Sequence, residues 1–114
     1  MKWFLPIIFV LLLNQHLFSQ NKLNIDSLLT VYKNQTLDTI KIRTVNHIIN
    51  YYMYRSSAET KKYAFEQLNM SKKIGYKSGL ALANYHLGNL YHNVSQLDSA
   101  KYYYEKSLLL GNQL

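Results

Sequence analysis

At 114 residues the chain holds one small domain at most, and the absence of cysteine excludes a disulfide framework and any cysteine-ligated metal site. Its 13 Lys and Arg against 6 Asp and Glu give a formal charge of +7, but Arg43 and Arg55 are the only arginines. A nucleic-acid interface uses clustered arginine, so the basic excess reads as solvated helix faces and nucleic acid is not an expected partner.

The opening MKWFLPIIFVLLLNQHLFSQ has the pattern of a secretory signal, with Lys2 as the positive start, an apolar run from Trp3 to Leu13, and Ser19 before a cut. Residues 1–19 are assigned to it. The run falls short of the roughly 20 apolar residues that span a bilayer. Leu17 is bulkier than the alanine preferred three places before a cut, which leaves an uncleaved anchor as an alternative. Either way the remainder is expected outside the cytoplasm, periplasmic or membrane-anchored, with membrane contact only through an uncleaved signal or a further C-terminal segment.

After the signal there is no proline, and glycine is confined to Gly75, Gly79, Gly88 and Gly111. So few breakers, without sustained two-residue alternation, predict an all-α chain. Residues 20–36 form a short helix and linker, the helix covering Ile25 to Lys33 with Ile25, Leu28, Leu29 and Tyr32 on one face. Residues 37–76 form a first hairpin. Its leading helix runs from Thr39 to Tyr54, capped by Asp38, with Ile42, Val45, Ile48, Ile49 and Tyr52 as the apolar stripe. Its second helix runs from Ala58 to Ile74, with Ser56 and Glu59 as a capping box and Gly75 as the stop. Ala64, Leu68 and Ser71 mark the inner side. Residues 77–114 form a second hairpin, helices Gly79 to Asn93 and Leu97 to Leu110.

The two hairpins carry a weak internal repeat. Ile48 and Tyr52 stand 39 residues before Leu87 and Tyr91, and Tyr63, Ala64 and Leu68 stand 40 before Tyr103, Tyr104 and Leu108. The first copy departs from the second, with Ile49 at the place of Gly88 and Thr60 at that of Ala100.

The segment ALANYHLGNLYHNVSQLDSAKYYYEKSLLLG, Ala81 to Gly111, sets Leu87, Gly88 and Tyr91 on one helix and Ala100, Tyr104 and Ser107 on the next. It resembles a tetratricopeptide repeat (TPR), in which small residues let two helices approach and large ones fill the wedge. The resemblance implies an α-solenoid of about two stacked hairpins. TLDTIKIRTVNHIINYY with KYAFEQLNMSKKIGYKSGLALANYHLGNLY further resembles the extracytoplasmic N-terminal region of bacterial TPR-containing sensor histidine kinases and related regulators. KKIGYKSG and HLGNLY are the pieces that carry this likeness. No output domain is present in the sequence, so kinase activity does not carry over.

In TPR proteins the first helix of each hairpin lines a concave ligand groove. Carried onto this chain, those positions are Tyr85, Asn89, His92 and Asn93, with Asn46, Asn50, Met53 and Tyr54 in the first hairpin. Carboxamides there can pair with an extended peptide backbone, because each offers a donor and an acceptor. Tyrosine adds flat amphipathic area at modest entropic cost. Among the 11 tyrosines, Tyr52, Tyr91 and Tyr104 fall on packing positions, while Tyr54, Tyr76, Tyr85 and Tyr102 are the ones expected at the surface.

Chemistry is not expected of this chain. Asp26, Asp38, Glu59, Glu66, Asp98 and Glu105 sit at helix starts or on polar faces, no serine has a nucleophile-elbow context, and GYKSG is not a phosphate-binding loop. His86 and His92 are about 600° apart around an ideal helix and face different ways. His47 lies on another helix and His16 within the signal. No metal site and no cofactor are expected.

The expected function is therefore an extracytoplasmic protein–protein interaction scaffold that binds a protein or peptide, as the sensory N-terminal part of a larger signal-transduction protein of the histidine kinase or regulator type. An alternative is a small stand-alone secreted adaptor that self-associates as a homodimer through Leu97, Ala100, Tyr104 and Leu108 of its last helix. A third reading is an enzyme accessory module that binds peptide or glycan through its tyrosines.

Overall fold

A computed structural model describes residues 24–114, and every regular element among them is a helix. They are α1 (24–34), α2 (Thr39–Tyr52), α3 (Ser57–Ile74), α4 (Lys77–Asn93) and α5 (Leu97–Gly111). The signal segment, residues 1–19, and the first residues of the following linker lie outside the described residues.

The helix ends follow from local chemistry. Asp38 accepts from the backbone N–H of Ile40 at 2.8 Å and of Lys41 at 3.0 Å, which satisfies donors that the first turn of α2 leaves without partners. Ser56 does the same for α3, accepting from Glu59 N–H at 3.2 Å. Only this half of the expected capping box forms, because the Ser56 N–H donates to Tyr52 O at 2.9 Å instead. Gly75 stops α3 in the left-handed region at φ 67°, and Tyr76 N–H closes back onto Ser71 O at 2.9 Å. The α4–α5 turn closes similarly, Gln96 N–H to Tyr91 O at 2.8 Å, but Ser95 holds the left-handed position at φ 60°. α2 ends at Tyr52 and not Tyr54, since Met53, Tyr54 and Arg55 form the turn into α3.

α2 packs on α3, α3 on α4 and α4 on α5, and α2 also reaches α4. One continuous core joins them: Val45, Ile48 and Ile49 from α2, Tyr63, Ala64 and Leu68 from α3, and Ala83, Leu87 and Leu90 from α4. Ile25 of α1 is buried in the same cluster.

The weak repeat has a physical counterpart in each hairpin. Tyr52 of α2 stacks on Tyr63 of α3 with ring centroids 5.9 Å apart and planes 7° from parallel. Tyr91 of α4 stacks on Tyr103 of α5 at 5.4 Å and 6°, the same pair displaced by 39 and 40 residues. A second pair behaves alike. Gln67 Nε2 donates across the first hairpin to Ile42 O at 3.3 Å, and Ser107 Oγ donates across the second to Ala81 O at 2.8 Å. Both place a side-chain donor of the second helix on the equivalent carbonyl of the first. Where the copies differ in sequence, bulk moves from one helix to the other. Buried Ile49 and Ala64 stand where the second hairpin has Gly88 and Tyr104. The Tyr104 ring lies over Gly88 so closely that a Cβ there would sit 2.5 Å from its Cδ1.

Three further expectations need correction. Met53 is a core residue, 8% exposed, because the α2–α3 turn folds it inward. Ala100 is buried at 3% and Tyr104 is half-buried on Gly88, so neither belongs to the uncovered side of α5. Leu97, Leu108 and Leu109 do, each more than 60% exposed. α4 begins at Lys77, and Gly79 lies inside its first turn, where a Cβ would overlap Ser71 Oγ of α3.

Candidate functional site

The candidate groove residues come from α2, its C-terminal turn and α4. Asn46, Asn50 and Tyr54 are four residues apart along α2 and its turn, and Tyr85 and Asn89 are four apart on α4, so each set runs down one side of its helix. The structure joins the two sets. Asn46 Oδ1 accepts from His86 Nε2 at 2.5 Å, a bond between α2 and α4. Tyr85 leans on His86 at 5.8 Å between ring centroids and on Tyr104 at 6.2 Å. Tyr104 in turn donates its hydroxyl to Asn89 Oδ1 at 2.6 Å.

His86 is 3% exposed, and burial pushes its pKa down to about 4. It is neutral at pH 7. Its Nε2–H donates to Asn46, and the buried Nδ1 has no partner among the described residues. The phenol of Tyr104 is held above its usual range, first by burial and then by Tyr85 and Tyr54 beside it. Tyr54, which comes from the turn after α2, is thus near enough to act on that phenol.

The candidates thus divide into two groups. Asn46 and Asn89 are partly buried, and their carbonyl oxygens each accept a bond inside the fold, so they position neighbours and are less free than exposed carboxamides to meet a ligand. Asn50, Tyr54, Tyr85, His92 and Asn93 are exposed, Tyr54 at 86%. His92 and Asn93 sit in the last turn of α4, beyond the joined patch. Of the packing residues, Leu87, Gly88 and Ala100 are buried, while Tyr91, Tyr104 and Ser107 are partly covered and each makes a named contact with the facing helix.

His86 was not a candidate from the sequence, and its bond to Asn46, 40 residues away, has no local signal. The tyrosines expected at the surface sort unevenly: Tyr54, Tyr85 and Tyr102 are exposed, but Tyr76 is partly covered at the entry to α4. Among the described residues no three His, Asp or Glu side chains are placed to hold a metal ion. Nor is any helix among them long and apolar enough to cross a membrane.

A second concavity lies away from this face. It has a volume of about 460 Å³ and is bounded by α3, the first half of α4 and α5, with Leu80, Tyr102 and Tyr103 among its walls. None of the groove candidates lines it. Comparison of the chain with protein families, curated proteins and solved structures found no match.

Proposed function

We propose that this chain is a TPR-type interaction scaffold that works outside the cytoplasm and holds an extended peptide segment of a protein partner on the face formed by α2 and α4. The observation that supports this most is the doubled geometry of the two hairpins, the Tyr52–Tyr63 and Tyr91–Tyr103 stacks with the Gln67 and Ser107 bonds. Helical hairpins repeated in one register set their leading helices side by side and form a continuous surface from them. On that surface Asn50 supplies a donor and acceptor for peptide backbone, and Tyr54 and Tyr85 supply flat area. The partly buried His86–Asn46 and Tyr104–Asn89 bonds fix the underlying side chains and leave the exposed ones to meet a ligand. Placement outside the cytoplasm rests on the N-terminal pattern, and a sensory role within a histidine kinase or regulator rests on the resemblance of residues 36–111.

The test begins with twelve-residue peptides selected from a random displayed library against the chain. Asn50→Ala with Tyr54→Ala is expected to weaken a selected peptide at least about tenfold, the scale of one lost aromatic contact with its hydrogen bond. Far-ultraviolet circular dichroism should stay unchanged, because both residues are exposed. Selection of no peptide, or equal affinity for the double variant, would remove the α2–α4 face from consideration.

A further inference from the structure

α1 repeats the last part of α3 in the same 40-residue register: residues 24–34 correspond to 64–74, and both helices end there. This register places Tyr32 of α1 at the position of Lys72 of α3. Tyr32 is held by four side chains. Its ring meets the edge of Tyr63 at 6.0 Å, its hydroxyl donates to Glu66 Oε2 at 2.6 Å and lies 3.8 Å from Met70 Sδ, and Lys41 Nζ stands 4.9 Å over its face.

The counterparts of those four residues, shifted by 40 in α5 and 39 in α4, are Tyr103, Lys106, Leu110 and Leu80. All four line the 460 Å³ groove, and so does Lys72. The groove is the second copy of the place that Tyr32 fills in the first, with the inserted ring missing because lysine replaces the tyrosine. Two exchanges change what it can take. Glu66, which accepts the Tyr32 hydroxyl, becomes Lys106, and Lys41 becomes the apolar Leu80. The charged residues of its wall are Lys72 and Lys106, both cationic.

We propose that the groove between α3 and α5 is a docking site for a partner segment that presents an aromatic side chain flanked by carboxylates. The ring takes the space between Leu80 and Tyr103 that corresponds to the Tyr32 ring, and the carboxylates meet Lys72 and Lys106. The ligand supplies the acceptor because the protein's own, Glu66 in the first copy, is absent from the second. This surface is separate from the α2–α4 face, and each can fail without the other.

The test uses a fluorescent pentapeptide with one phenylalanine between two pairs of glutamates, followed by anisotropy against the whole chain at low salt. Exchanging the phenylalanine for alanine, or the glutamates for lysines, is expected to weaken binding about tenfold or more. Lys72→Tyr, which puts a phenol where the first copy has one, and Lys106→Glu should each do the same. Asn50→Ala with Tyr54→Ala should leave this binding unchanged. The combined Lys72→Tyr, Lys106→Glu variant rebuilds the Tyr32–Glu66 pair and should melt at a higher temperature than the parent chain, a readout that needs no ligand. Equal binding of the alanine or lysine peptide, binding insensitive to Lys72→Tyr, or a lower melting temperature for the combined variant would each overturn the proposal. So would a concentration-dependent dimer that Lys72→Tyr dissolves, since the groove would then belong to a second copy.

Discussion

Replacing Gly88 by alanine ought to stabilise an ordinary helix by about 1 kcal/mol, because glycine is the poorer helix former. Here the sign should reverse. A Cβ at position 88 would stand 2.5 Å from Tyr104 Cδ1, 2.6 Å from Cε1 and 3.0 Å from Cγ. Carbon atoms pack at about 3.5–4.0 Å, so the ring must retreat by roughly 1 Å. It is not at liberty to do so, since its hydroxyl is bonded to Asn89 and its face leans on Tyr85. Overpacking of this kind costs about 1–3 kcal/mol, and a lost hydrogen bond adds about 1 kcal/mol. Set against the helix gain, Gly88→Ala should lower stability by about 1–3 kcal/mol, read as a shift of the urea midpoint by circular dichroism at 222 nm. Tyr104→Ala alone should cost about 3 kcal/mol through the emptied space. The two together should cost at least about 1 kcal/mol less than their sum, because the new methyl enters the vacated volume. A more stable Gly88→Ala, or strict additivity, would show that the ring does not lie on Gly88 and would undo the size exchange inferred between the hairpins.

Other consequences can be checked with the same unfolding assay. His86 has a folded pKa near 4 against about 6.5 when free, so the unfolded chain binds the extra proton first and stability falls as pH drops from about 6.5 towards 4. The loss should be negligible above pH 7 and reach about 3 kcal/mol at pH 4, and His86→Gln, which keeps a donor for Asn46, should lack this share of the pH dependence. Ser95→Gly should stabilise by about 0.5–1 kcal/mol, since a left-handed φ costs an L-residue about 1–2 kcal/mol and glycine gives back part of that in chain entropy. A destabilised Ser95→Gly would mean the turn is closed differently. Asp38→Ala should cost about 1 kcal/mol through two lost N-terminal hydrogen bonds, and an unchanged midpoint would argue against that cap.

What the sequence disclosed, and what it hid, separates by range of interaction. Asp38, Ser56 and Gly75 marked the ends of α2 and α3 because a cap acts within four residues of itself. Gly79 misled for the same reason. Glycine is a breaker locally, so it read as the start of α4, whereas its use is to let Ser71 approach from α3 inside an uninterrupted helix. The small and large packing positions Gly88 and Tyr104 were visible as types, but the contact is ring against backbone and not small residue against small residue. Asn46 and Asn89 looked like free carboxamides. Their partners, His86 and Tyr104, arrive on neighbouring helices, and no spacing along one helix reveals that. The α1 relation to α3 is hidden too, since the sequence of α1 shows one short amphipathic stripe and its register against α3 emerges only from what Tyr32 touches.

The most direct test of the α2–α4 face is a residue-resolved one: amide chemical shifts of the isotope-labelled chain titrated with a library-selected peptide. Shifts confined to Asn50, Tyr54, Tyr85 and the neighbouring turns of α2 and α4 are the expected result. Shifts centred on Leu80, Tyr103 and Lys106 with the α2–α4 face silent would contradict it, and would leave the groove between α3 and α5 as the chain's binding surface.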